Sequence, residues 1–403
     1  MRLPGFLAAL GYRNYRLLWI GAFLSSVGTW TQDVALSWLI HTEFGNPFFL
    51  GLRSFAADAP LIGLMLLGGA VADRVDRRQI LLVSQAVQMT LAAALLALYL
   101  AGGLGLGAIL AIAFVTGLAQ SQSAPTYQAV LTSLVPAREI PRAVAMNSLQ
   151  FNLSRAIGPV IAGLLLARGG TGACFAVNVV SYAAVLVALA RIRLPARPAP
   201  AKPESLRRSL QAGLAHVSRH PVLSRLTLLA ALGSFLAFPL TTFLPVFADR
   251  VQGSGATGYS LLLSSYGAGA IGGAIATAQR GHVPGRGRLS LLAFALYGTL
   301  AGLALASPWQ PLSMLLLFGA GWSLVTAYST LSSLVQEHAE EALRGRILSI
   351  YGLCFRGGMP FGGLFAGALV GPLGVTPVLG TMLGMLLALA VWMLLRPGTV
   401  ARL

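Results

Sequence analysis

Apolar runs about twenty residues long follow one another almost without pause along this chain, and that rhythm leaves few folds open. Crossing a bilayer takes ~20 mostly apolar residues in a helix. Such runs read at 15–40, 48–72, 79–101, 106–135, 143–167 and 171–191, then at 222–248, 257–279, 289–306, 311–335, 346–370 and 373–395. Backbone amides in hydrocarbon have no water to bond, so each run closes its own hydrogen bonds as a helix. None shows the strict alternation of an outer-membrane barrel strand. The expectation is an all-α integral membrane protein of twelve transmembrane helices. Composition agrees: charged residues are 10% of the 403 positions, against about 25% in soluble domains. That is too few to clothe a surface in water.

The net charge of +17 raises the question of nucleic acid. Its distribution answers against it. The 28 basic residues, of which only Lys202 is lysine, fall in short clusters between apolar runs. No basic–aromatic interleaving suited to stacked bases occurs. Clusters precede the first run (Arg2, Arg13, Arg16) and follow the second (Arg74, Arg77, Arg78), fourth, sixth, eighth and tenth, while the alternate breaks carry few. The positive-inside rule then puts both termini and the central break in the cytoplasm of a bacterial inner-membrane protein. Cys174 and Cys354 lie within apolar runs and give neither a disulfide framework nor metal spacing. His41, His216, His220, His282 and His338 fall on expected loops, again without metal spacing. The first run is too long for a signal peptide core and is read as the first span.

An internal repeat sets the architecture. Gly68-Gly69-Ala70-Val71-Ala72 matches Gly272-Gly273-Ala274-Ile275-Ala276, and Leu131 to Val135 matches Leu331 to Val335. Arg155 and Pro159 match Arg356 and Pro360. The three matches lie in one order at nearly one offset, as two copies of one unit would. Residues 1–191 and 222–403 are read as two parallel, pseudo-symmetric six-helix bundles, with a binding site expected at mid-membrane depth. Between them, 192–221 forms a cytoplasmic linker. Its Pro/Ala segment, Pro195 to Pro203, reads as extended. From Ser205 on, Leu206, Leu210, Leu214 and Val217 recur at helical spacing. That short amphipathic helix lies either on the inner leaflet or on the underside of a bundle.

The break between the second and third runs carries the most specific motif, Gly69-Ala70-Val71-Ala72-Asp73-Arg74-Val75-Asp76-Arg77-Arg78. With this loop and two six-helix halves, the chain resembles the major facilitator superfamily throughout its length. Gly69, Asp73, Arg74, Arg77 and Arg78 match the family pattern, and Asp76 replaces its usual glycine, a residue that often serves a positive φ. The resemblance implies a cytoplasmic gate, latched against the eleventh helix near Arg346. Anchoring by positive charge alone is the plainer reading of the same arginines. Thr277 replaces the aspartate in the second half, so the latch is expected on one side only.

Helix five carries Gly158, Pro159 and Gly163, similar to the signature of the family's exporters. Glycines allow close packing and proline a bend. The resemblance points to the bacterial exporter branch that includes the enterobactin exporter and related siderophore and drug efflux proteins. The family's helix-four arginine motif is missing; Gln120, Gln122, Pro125 and Tyr127 stand there, which departs from the drug/proton antiporter pattern.

Charges inside spans cost at least ~2.5 kcal/mol at the helix centre and so mark function or pairing. Asp33 and Asp58 are expected at similar depth on either side of the break near Gly45 and Asn46. They can serve proton coupling, one acid holding a proton because two cannot both ionise cheaply, or form salt bridges with Arg53 or Arg155. Arg155 and Arg356 occupy equivalent places near the midplane. Two guanidiniums would favour an anionic or catecholate-like substrate; alternatively Arg155 neutralises an acid and Arg356 binds carbonyls. Trp30, Gln32, Gln120, Asn152, Tyr351 and Phe355 complete the candidate cavity lining, though spans also use such residues merely to pack.

The expected function is secondary active transport, a proton-linked export of a small amphipathic molecule, siderophore or drug-like, by alternating access. An importer or a lysophospholipid-type lipid transporter would share the fold. A non-transporting sensor or scaffold would not need the intramembrane charges. No nucleophile–base constellation or phosphate-cradling loop points to an enzyme. The expected partners are the substrate, protons and the lipid bilayer, for a monomer with no cofactor, no metal and no nucleic acid.

Overall fold

The computed structural model describes residues 5–67, 76–192, 194, 206–280, 285–341, 343–396 and 400–403. Thirteen α-helices account for most of them. In chain order they are α1 (Arg13–Phe44), α2 (Phe48–Leu67), α3 (Arg77–Leu100), α4 (Leu106–Ser133), α5 (Ile140–Arg191), α6 (Leu206–Arg219) and α7 (Pro221–Ala237). Then follow α8 (Pro239–Arg250), α9 (Gly255–Arg280), α10 (Arg286–Ala306), α11 (Gln310–His338), α12 (Arg344–Leu373) and α13 (Val375–Leu395). Nine helical stretches among the described residues are long and apolar enough to cross a membrane. One of these, Ala137–Arg191, contains two crossings, and α1 and α2 add two more, which gives twelve. Helices α7 and α8 are one crossing that bends at Phe238, directly before Pro239.

The two crossings within α5 meet at Gly170, whose φ of 68° and ψ of −171° stop the helix. Gly374, with a φ of 87°, performs the same break between α12 and α13. An L side chain rarely adopts that backbone. Both junctions therefore turn on one glycine, at matching places in the two halves.

Contacts divide the chain into two compact bodies. The first holds Met1–Leu39 and Ala59–Pro203, and the second Ile40–Asp58 and Glu204–Leu403. The halves expected from the repeat differ from these in one piece. The end of α1 and the start of α2 belong with the second body, because Gly51 and Gly367 let their backbones approach α12. A methyl group at Gly51 would lie 2.9 Å from the Gly363 carbonyl carbon, and one at Gly367 would lie 3.2 Å from Phe48 Cα. The amphipathic helix α6 also belongs to the second body. A methyl at Gly213 would meet Ile350 and Arg346 of α12, and Val217 is buried. Its C-terminal turns thus pack on α12.

Candidate functional site

In the first body, hydrogen bonds fasten α1 along the first crossing of α5. The Tyr15 hydroxyl donates to the Ala143 carbonyl at 2.9 Å, and the Trp19 indole N–H to that of Met146 at 3.0 Å. Further up, Gln150 Nε2 donates to Ser26 Oγ at 3.0 Å and Thr31 Oγ1 to the Gly158 carbonyl at 3.2 Å. Gly158 is buried where a β-carbon would overlap Trp30, and Pro159 and Gly163 are buried beside it. Proline removes the N–H that would have bonded the Arg155 carbonyl. The helix-five motif thus seats Trp30 against α5. Phe151 meets the Trp30 ring edge-on at 6.1 Å, and the Arg155 guanidinium stands 5.7 Å over it. A cation on an indole face gains about 0.5–2 kcal/mol.

A polar ladder runs through the rest of this body. Gln120 Nε2 donates to Gln88 Oε1 at 3.5 Å, and the Tyr182 hydroxyl donates to the same oxygen at 3.3 Å. Gln88 Nε2 donates to Ser84 Oγ at 3.2 Å. Asn178 Nδ2 donates to Gln32 Oε1 at 2.9 Å, and Asn178 Oδ1 accepts from Ser181 at 3.2 Å. Gln32 and Gln120 are among the expected lining residues; Gln88, Asn178 and Tyr182, which bond to them, are not. The cost of amides inside a span was the signal available for finding them. Asn152, by contrast, bonds back to the Ser148 carbonyl of its own helix.

The second body is lined by rings. Tyr328 is the hub: its ring centroid lies 4.6 Å from Phe355, 5.1 Å from Phe294 and 6.1 Å from Phe238. Tyr351 stacks parallel on Phe355 at 6.5 Å. Arg356 follows Phe355 directly and is exposed, and no described residue pairs with it. Its direction follows from the helix. Gly358 and Gly362 face α7, where a β-carbon would overlap Ser234 and Phe235 respectively. Arg356 lies seven residues before Gly363, hence on the same stripe and about 10 Å along the axis. Gly363 faces Gly51 of α2. The guanidinium is therefore on the α2-facing stripe of α12, with open space around Gly357.

The remaining expected residues stand as follows. Asp33 on α1 and Asp58 on α2 are half-buried, and both are partnered, as are Arg53 and Arg155. Of the gate motif, Gly69, Asp73 and Arg74 lie outside the described residues. Asp76 has a φ of −59°, so no positive φ is needed where the family keeps glycine. Instead it caps α3, accepting from the Arg78 amide at 2.7 Å. Arg78 in turn donates to the Leu189 and Ala190 carbonyls at 2.8 and 2.6 Å, closing the C-terminal end of α5 in its own body. Arg77 is half-buried beside it. His41 is not on a loop: it is buried in the last turn of α1, 2.9 Å from Asp249. His216 and His338 are likewise helical, in α6 and α11.

Comparison with known proteins accords with this construction. The family described as transmembrane secretion effector matches residues 5–400. The staphyloferrin A transporter of Staphylococcus aureus is 25% identical over 257 residues, 64% of each chain, so the match spans under two thirds of that relative. The enterobactin exporter EntS of Escherichia coli is 27% identical over 342 residues, 84% of this chain and 80% of its own. Among solved structures, the nucleoside transporter NupG superposes with a TM-score of 0.73 at 14% identity, covering 94% of this chain and 98% of its own. The human organic anion transporter MFSD10 gives 0.64 at 17%, covering 94% and 99%. These proteins move solutes rather than transform them, and the chain is a transporter and not an enzyme. Its twelve helices, its repeat and the match along nearly its whole length make it a major facilitator protein belonging to the transmembrane secretion effector family.

Proposed function

We propose that this transporter exports a small amphipathic anion across the bacterial inner membrane, driven by protons and working by alternating access, as a monomer with both termini in the cytoplasm. Its relatives' names, a staphyloferrin A transporter and an enterobactin exporter, support a siderophore-like cargo. The observation that carries the anion is Arg356. A cation inside a span without a protein counter-charge is costly, and the spans α9 to α13 contain no acid between Gly255 and Val335 or between Arg344 and Leu395. An incoming anion supplies the missing charge. Tyr351 and Phe355, one turn apart beside it, offer ring faces to the apolar part of the same molecule. Arg155, Trp30, Gln32, Gln120 and Asn152 are assigned to binding from the first half. Asp33 and Asp58 are assigned to the proton, and Gly69, Asp73, Arg74, Arg77 and Arg78 to the cytoplasmic gate.

Binding titrations on the purified protein test the reading. Arg356→Gln is expected to weaken an acidic or catecholate ligand ~10-fold or more, since charge-assisted bonds contribute ~1.5–3 kcal/mol. A neutral ligand should change little. Equal losses for both ligands would make Arg356 structural and remove the reason to expect an anion.

A further inference from the structure

Helix α6 hands over to α7 at His220 alone, with Arg219 ending one helix and Pro221 opening the next. Proline suits a first helical position, where its missing N–H costs nothing. His220, extended at a φ of −94° and a ψ of 106°, is the N-cap of α7. Its Nδ1 accepts from the Leu223 amide at 3.4 Å. A ring nitrogen that accepts is bare, so the hydrogen of the neutral imidazole stays on Nε2, a donor. His216, one turn earlier in α6, lays its ring nearly parallel to that of His220, 6.1 Å away and 21° off plane.

This corner leaves a cleft of 520 Å³, lined by Ala215, His216, Arg219, His220, Pro221 and Leu343. Its polar groups are donors. Arg219 is exposed and pairs with no described residue. His216 Nε2 is buried and makes no hydrogen bond among the described residues. Glu340 Oε1 stands 3.9 Å from it, beyond hydrogen-bond range. That carboxylate favours the tautomer with hydrogen on Nε2, which leaves a buried donor in want of an acceptor. The cleft is also the head of an exposed stripe. Pro221, Arg225, Leu228 and Leu232 recur at helical spacing along α7, and all four are exposed. Pro221–Arg250 is long and apolar enough to cross the membrane. The stripe therefore runs from headgroup level at Pro221 into hydrocarbon at Leu228 and Leu232. By the charge distribution this is the inner leaflet.

We propose that this cleft binds the phosphate of an anionic phospholipid, with Arg219, His216 and His220 as donors and an acyl chain laid along Leu228 and Leu232. Arg219 supplies the charge, and the two imidazoles supply direction. A soluble phosphate ester would meet the same donors but would leave the apolar stripe bare, and the stripe is what favours the lipid. The cleft is bordered by α6 at Ala215, His216 and Arg219, by α7 at Pro221, and by Leu343 directly before α12. A bound lipid thus ties the linker helix to the start of two spans in the second body. The inference rests on the membrane fold alone, and on neither the cargo nor the proton.

Native mass spectrometry of the purified full chain counts bound lipids directly. The probes are dioleoylphosphatidylglycerol and, as the neutral control, dioleoylphosphatidylcholine, each titrated into the protein in detergent. Phosphatidylglycerol should bind the more tightly. Arg219→Gln is expected to weaken the first phosphatidylglycerol about 5-fold, the effect of one basic residue at an anionic lipid surface. Ala215→Trp fills the cleft at unchanged charge and should weaken it at least as much. Arg168→Gln removes the same charge from an exposed site in the first body and should change little. Unchanged affinity in Arg219→Gln, or an equal loss in Arg168→Gln, would overturn the site. So would full affinity in a folded Ala215→Trp, because the lipid would then be bound outside the cleft. Arg219 is exposed, so its variant decides the matter if Ala215→Trp does not fold. Displacement of phosphatidylglycerol by millimolar inorganic phosphate would make the cleft a soluble phosphate site and sink the lipid reading. Failure of Arg356→Gln to discriminate ligands would leave this readout unaffected, so the two ideas fail separately.

Discussion

The two halves descend from one repeated pattern, yet they fill their interiors by different physics. The first spends amides and hydroxyls: Gln88, Gln120, Tyr182, Asn178 and Gln32 form partnered pairs inside the spans. The second uses rings and bare backbone. Tyr328 gathers Phe238, Phe294 and Phe355, and α9 and α11 meet where β-carbons at Gly269 and Gly321 would overlap the Phe318 and Tyr266 carbonyls. Lipid offers no hydrophobic drive between helices, so association rests on packing and on hydrogen bonds. Both halves use both, with amide pairs more prominent in the first and backbone approach in the second. The consequence is a difference of degree: loss of an interior amide should cost the first half more, and added volume where α9 meets α11 should cost the second most.

Three variants can break or sharpen that contrast. The largest effect is expected for charge, which the halves also divide unequally, since Asp33 and Asp58 have no counterpart in the spans from α9 onward. The double variant Asp33→Asn, Asp58→Asn should abolish uphill transport in vesicles under a pH gradient while substrate binding persists. Full pH-driven uptake into inverted vesicles would remove both acids from coupling. Loss of folded protein in a single variant would instead point to a salt bridge, because breaking a buried pair leaves an unpaired charge. Next comes volume. Gly321→Leu should force α11 off α9 and cost ~3 kcal/mol, read as a large fall in the thermal midpoint of the detergent-solubilised protein. A midpoint within error of the parent would show the pairing to be looser than the backbone approach requires. The smallest is Gln88→Leu, which removes the acceptor of both Tyr182 and Gln120 and should cost roughly 0.6–2 kcal/mol. A stabilised variant would mean the ladder opposes folding and is kept for another purpose.

Much of this was legible beforehand. The apolar runs marked the described ends of the crossings to within a few residues, since bilayer thickness fixes helix length more tightly than any propensity does; the end of the second run lies outside the described residues. The repeat placed Arg155 and Arg356 correctly in α5 and α12. Asp76 stands where the family pattern has glycine, yet its carboxylate makes it a helix cap, a role its position before α3 also allows. His41 closes an apolar run and so reads as a loop residue, but the run continues as helix, and its partner is 208 residues away. No spacing rule reaches that far. The division of α1 and α2 between bodies was equally hidden, because periodicity names a buried face without saying which helix covers it.

Gly170 and Gly374 have one more effect, on what water can reach. Each joins two crossings through a single residue, with helix on both sides. A protease needs an extended segment of several residues to enter its cleft, and an antibody needs an accessible stretch of chain. Neither is on offer at these two corners, so mapping of this protein's sidedness by cleavage will be blind there.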